Sequence, residues 1–154
     1  MTESAPSGDV AEELEAQTVQ DLLDGLELTE VRTYLLHAER GAYQALDEAQ
    51  ISVAVNHEGR LLETRCRMTT ANADSEFAVD RSAVFTLSRP LKISQSVMAE
   101  FVEKVGVMTV YPYLREGLFS LATHLGVAQP VIGLLRAGTL KLAPIPDGSG
   151  AVEG

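Results

Sequence analysis

An α+β fold, with a four-stranded antiparallel sheet packed by a long C-terminal helix, is what this sequence predicts. Three observations carry that prediction. Apolar and polar residues alternate through the middle of the chain, short polar turns punctuate the alternation, and from Met108 the apolar spacing becomes helical.

The first strand is expected over 28–39, inside a stretch rich in strand formers (Glu27 to Glu39). Gln50 to Val55 alternates with period two, placing Ile51, Val53 and Val55 on one face and Ser52 and Ala54 on the other. Asn56-His57-Glu58-Gly59 reads as a hairpin turn in which Gly59 takes a positive φ. The next strand, Arg60 to Thr70, sets Leu62, Thr64, Cys66 and Met68 against Glu63, Arg65 and Arg67, so one face is expected buried and the other solvated. A polar turn at Ala71 to Ser75 leads into Glu76 to Ser88, with Phe77, Val79, Ala83, Phe85 and Leu87 in register.

Pro90 ends the sheet region. Ser94 and Ser96 are N-cap candidates for a helix through Val105 that stops at Gly106. A longer helix is expected from Met108 to Leu125, with Pro112 near its first turn and Gly126 capping its end. Tyr111, Leu114, Leu118, Leu121, Ala122 and Leu125 form its stripe, while Val110, Tyr113 and Phe119 add apolar surface off it. The sheet covers one side of such a helix, and a second subunit is the natural cover for another.

At the N-terminus, residues 1–9 read as a disordered leader. Residues 10–26 read as an acidic amphipathic helix with Val10, Leu14, Val19, Leu22, Leu23 and Leu26 on one face. Residues 10–142 then form one domain, and 143–154 have the composition of a flexible tail.

Charge and composition narrow the function. The net charge is −10, and residues 1–30 hold nine of the 22 acids and no Lys or Arg. Without a basic stripe, nucleic-acid binding is not expected. The acidic N-terminus reads as a solubilising segment or as a docking surface for a basic partner. No apolar run reaches the ~20 residues that span a bilayer. The first residues lack the pattern of a secretory signal, and the one cysteine, Cys66, has no partner for a disulfide. A cytosolic location is expected.

Catalytic chemistry is sought and not found. His37, His57 and His124 fall in a strand, a turn and a helix end. Cys66 lies on an apolar face. Neither Cys nor His has metal-ligand spacing, and no phosphate loop or nucleophile elbow occurs. The expectation is a non-enzyme with no cofactor and no metal.

The ten residues Val107-Met108-Thr109-Val110-Tyr111-Pro112-Tyr113-Leu114-Arg115-Glu116 are the most distinctive in the chain. They resemble the motif opening the long helix of the SecB family of bacterial secretion chaperones. The short helix before it, the strand ending Ala83-Val84-Phe85-Thr86-Leu87 and the Gln129-Pro130 turn agree in order, so the resemblance covers about 28–142.

The resemblance implies a SecB-like sheet and helix assembled as a homotetramer, a dimer of dimers. It implies a cytoplasmic, ATP-independent holdase that keeps unfolded polypeptides in a long apolar groove. The partner is SecA in protein export and transport, or an antitoxin client in a toxin–antitoxin system. By that analogy Tyr111, Tyr113, Phe119, Phe77, Phe85, Val131, Ile132, Leu134 and Leu135 line the groove, and Arg115 and Glu116 are ion-pairing or helix-end groups. The chain departs from the export pattern in its acidic N-terminal segment, in 131–142, and at Ala78, where an acid for SecA would be expected. Two other readings stay open. A hotdog-like thioesterase would have to use Glu116 or His124, and a non-chaperone adaptor would use the acidic helix to bind one partner.

Overall fold

The structure is a computed structural model that describes residues 14–132. The expected leader, 1–9, and tail, 143–154, lie outside that range, as do 10–13 and 133–142. Four long strands make the sheet: β2 (Leu26–Arg40), β3 (Gln50–Glu58), β4 (Leu61–Asn72) and β5 (Ser75–Leu87). Their order is β2-β5-β4-β3, antiparallel throughout. The predicted α+β fold is therefore present. Gly59 (φ 58°) turns β3 into β4 as its position predicts.

The expected helix over 10–26 is not what residues 14–26 form. Leu14–Ala16 is a strand, β1, pairing in parallel with β6 (Leu91–Ile93), and only Val19–Leu23 is helical (α1). The reason is local. Thr18 and Asp21 make a capping box: the Thr18 hydroxyl accepts from Asp21 N (3.2 Å), and the Asp21 carboxylate accepts from Thr18 N (3.1 Å). That box starts a helix at 19, so the residues before it are free to pair with a distant partner.

The second correction concerns Gly106. The helical path does not stop there. It runs from α2 (Gln95–Phe101), capped by the Ser94 hydroxyl as expected, through a π-turn (Val102–Gly106) into α3 (Val107–Leu125). The Val107 amide donates to the Val102 carbonyl, so this turn holds one extra residue. Continuing the 3.6-residue period from Val97 and Phe101 would turn Lys104, Met108 and Pro112 inward. The extra residue instead buries Gly106, Val107, Val110, Tyr111, Leu114 and Leu118. Pro112 therefore lies inside a long helical run and not near its start. Gly126 (φ 66°) caps α3 as predicted, and the Arg40 guanidinium donates to the Leu125 carbonyl, Nε at 3.0 Å.

The core lies between the sheet and α3, which crosses β2, β5 and β4. Leu62, Cys66, Met68, Val79, Ala83 and Leu87 meet Val107, Val110, Leu114, Leu118 and Ala122, all buried. Phe85 and Phe101 pack edge to face with centroids 5.5 Å apart. Burial, with Asp80 a lesser cause, pushes the Cys66 thiol up to about 12. Cys66 in the folded chain is therefore expected to react with a thiol reagent at pH 8 roughly a thousandfold more slowly than in urea, because the thiolate is the nucleophile. Equal rates would show the thiol to be accessible.

The outer face of the sheet is less solvated than its sequence predicts. Ala78, Asp80, Ser82 and Val84 of β5 are buried there, although among the described residues no further layer covers them. Long side chains of the flanking strands lie flat over them. Arg65 holds Asp80 through two hydrogen bonds (2.9 and 2.8 Å), and its guanidinium sits 3.9 Å over the Tyr34 ring. The Tyr34 and Ser82 hydroxyls both donate to Glu63 (2.5 and 2.6 Å). Burial, followed by the hydrogen bond to Glu63, raises the Tyr34 phenol above its ordinary value.

Candidate polypeptide-binding surface

α3 carries three of the expected groove residues, and its periodicity sends them to two flanks. Tyr111 and Phe119 stand four residues either side of Arg115, whose guanidinium lies 6.0 and 5.7 Å from their ring centroids. Tyr111 is buried, Phe119 half-buried, and Arg115 Nε is buried without a hydrogen-bond partner among the described residues. Beside them Pro112, Arg115, Glu116, Phe119, Ser120 and Thr123 line a shallow depression of about 500 Å³.

Tyr113, 38% exposed, points to the other flank, above β2. Four residues on, Gly117 lies so close to β2 that an added methyl group would meet Leu36 at 3.3 Å. Leu28 and Leu36 are exposed on that side of β2. Arg81 of β5 ties the flank together: it donates to the Tyr113 carbonyl (2.7 Å) and the Thr33 hydroxyl (3.1 Å) and pairs with Glu116. Glu116 is thus an ion-pairing group, as expected, but its partner comes from the sheet. Arg115 stacks on rings.

Among the described residues, the expected groove residues do not lie on one surface of the single chain. Phe77 and Phe85 are buried in the core under α3 and offer no surface there (2% and 4% exposed). Alternation placed them on the inner face correctly, and α3 then covers that face. After α3 the chain is held by Asn72, whose amide donates to the Ala128 carbonyl (3.1 Å). Val131 is exposed, Ile132 packs partly against the core, and Leu134 and Leu135 lie outside the described residues.

The two alternative thioesterase residues each have another partner. Glu116 and His124 lie eight residues apart on α3, about 12 Å along a helix rising 1.5 Å per residue. Glu116 is paired with Arg81, and His124 Nδ1 lies 2.7 Å from the Ser120 carbonyl. The structure does gather His37, Glu39 and Glu76 at the exposed end of the β2–β5 pair, with His37 Nε2 3.8 and 3.6 Å from the two carboxylates. Sequence spacing misses this group and Arg81 alike, since each has a partner on a neighbouring element.

No family model matches the chain. It is 42% identical over 132 residues to the SecB-like chaperone SmegB of Mycolicibacterium smegmatis, an alignment covering 85% of this chain and 90% of that one. Its fold matches the Mycobacterium tuberculosis Rv1957 SecB-like chaperone, solved in complex with a ChAD peptide from the Rv1956 HigA1 antitoxin. The TM-score is 0.63 at 15% identity, over 76% of this chain and 92% of that one. The extent of the likeness to SmegB settles the family: the chain belongs to the SecB-like chaperones.

Proposed function

We propose that this chain is a non-catalytic, ATP-independent holdase that binds unfolded polypeptide and serves an antitoxin client. The observation that carries this reading is the 42% identity to a SecB-like chaperone across most of both chains. The antitoxin peptide bound by the structural neighbour supports the client class. The surface chemistry agrees, with Tyr113, Leu28 and Leu36 exposed on one flank of α3 and Phe119 partly exposed on the other. The protein acts in the cytosol as a homo-oligomer. Ala78, where a SecA-facing acid would be expected, is buried, which favours the antitoxin client over export.

The test is suppression of aggregation. A reduced, unfolded model protein should aggregate more slowly with equimolar chain and no nucleotide, and an unchanged rate sinks the reading. Tyr113→Asp and Phe119→Asp should each weaken client binding roughly tenfold, about 1.4 kcal/mol, because a charge replaces a desolvated ring. Unchanged affinity in a folded variant would place client contacts elsewhere.

A further inference from the structure

We propose that His37, Glu39 and Glu76 form a binding site for a Zn²⁺ ion, which ties the end of β2 to β5. The site lies on the face of the sheet turned away from α3 and goes beyond the holdase reading. Its side chains come from two paired strands. Glu39 lies directly opposite Glu76 and His37 opposite Ala78, so all three project from the outer face. Ala78 is small and buried, which leaves the imidazole free to lean along β5 towards Glu76. One donor atom from each residue lies within 4.8 Å of the other two, with His37 Nε2 3.8 Å from Glu39 and 3.6 Å from Glu76.

The charge on this group is uncompensated. Like charges directly opposite on neighbouring strands repel. Among the described residues neither carboxylate pairs with a Lys or Arg. The β4 neighbours are Ala71, opposite Glu76, and Thr69, opposite Ala78, and neither carries charge. Arg40, next in the chain to Glu39, turns to the other face of the sheet, where it holds the Leu125 carbonyl. Tyr43 registers the same imbalance: burial, then the charges of Glu39 and Glu76, raise its phenol above the ordinary value. A cation between the two carboxylates removes the repulsion.

The backbone that carries the ligands is already fixed. β2 and β5 pair without a register shift from Leu35 opposite Asp80 to Arg40 opposite Ser75. Just beyond, the Gly41 amide donates to the Asp74 carbonyl (3.0 Å) and the Tyr43 amide to the Ala73 carbonyl (3.1 Å). The three donors are therefore held together before any ion arrives, and binding has only side-chain rotations to order.

The donor set selects the ion. One imidazole nitrogen and two carboxylate oxygens suit Zn²⁺, which binds such ligands at about 2.0–2.2 Å in a tetrahedron. Donors in that geometry stand about 3.3 Å apart, a spacing that small side-chain rotations reach, and water takes the fourth position. Ca²⁺ and Mg²⁺ demand six or more oxygens and are poorly served by imidazole. His37 and Glu39 are exposed and Glu76 is half-buried, so the ion exchanges with solvent and acts as a reversible staple between strands.

The experiment is isothermal titration calorimetry of zinc chloride into the full chain without an affinity tag, repeated with calcium chloride. The expected result is one Zn²⁺ per chain with a Kd below about 100 µM, and Ca²⁺ binding at least tenfold weaker. A higher Kd for zinc, or less discrimination against calcium, overturns the proposal and leaves the three groups as ordinary solvated charges. His37→Gln and Glu76→Gln should each weaken zinc binding at least tenfold, while His57→Gln and His124→Gln keep full affinity. Smaller losses in the first pair, or a loss in the second, place the zinc elsewhere and overturn the proposal. Without metal, Glu76→Gln should melt at or above the parent temperature, since its repulsion from Glu39 is gone. A lower melting temperature would show that the pair is not strained by charge and overturns the proposal as well.

Discussion

Arg65→Met is expected to lower the unfolding free energy by about 3 kcal/mol, and Asp80→Asn by about 1 kcal/mol. Asp80 is 2% exposed on a sheet face that no layer of the described residues covers, and Arg65 satisfies both of its carboxylate oxygens. Methionine keeps most of the covering length of Arg65 but leaves a buried carboxylate with no counter-charge, the costly half of a broken pair. The figure sits at the low end for buried pairs because the Arg65 side chain is 29% exposed and water can reach its end. Asparagine still accepts from Arg65 through its carbonyl, and the guanidinium it leaves is partly solvated. Urea denaturation at pH 7 measures both values. A loss below about 0.5 kcal/mol for Arg65→Met, the range of ordinary surface substitutions, would show that the pair contributes only surface chemistry.

Gly106→Ala is expected to cost about 2–3 kcal/mol, although the same change inside an exposed helix gains about 1 kcal/mol. Steric contact decides the sign. A methyl group at Gly106 would lie 2.3 Å from the Thr64 hydroxyl oxygen and 3.0 Å from Thr64 Cβ and Cγ2. Thr64 is fully buried in the middle of β4, and its short branched side chain has little room to turn away. Its hydroxyl also has no hydrogen-bond partner among the described residues. Thr64→Ala in the same chain should therefore recover most of the loss, and Thr64→Val alone should be neutral or stabilising by up to about 1 kcal/mol, since it deletes an unpaired polar atom at constant shape. Thermal unfolding of the parent and the three variants is the check. If Gly106→Ala melts at or above the parent temperature, the π-turn is not held by this contact.

Both experiments probe contacts that local patterning does not reveal. Alternation at Leu62-Thr64-Cys66-Met68 and at Phe77-Val79 located the strands and their buried face, because side-chain direction in a strand is fixed by parity alone. Ser94 and Gly126 were legible as helix ends for the same local reason, since a cap bonds to its own turn. Apolar spacing over 10–26 favours a helix, but the Thr18–Asp21 capping box starts one only at Val19, and the partner of β1 lies at Leu91–Ile93, far along the chain. Gly106 resembles a stop in sequence because an extra residue in one turn shifts the helical phase by 100°, which gives the pattern of two helices.

Of the candidate surface, the residue types and their helix were legible, and their grouping was not. The sequence by itself determined an α+β meander with a long apolar helix and an acidic N-terminal stretch, since these follow from period and composition. Only the tertiary structure decided that Tyr111 and Phe119 flank Arg115 while Tyr113 turns to the β2 side, that Phe77 and Phe85 are covered, and that Arg81 joins Glu116 to β2. The physical reason is common to all of these: each depends on which distant segment lies alongside, and a pattern of near neighbours carries no record of that.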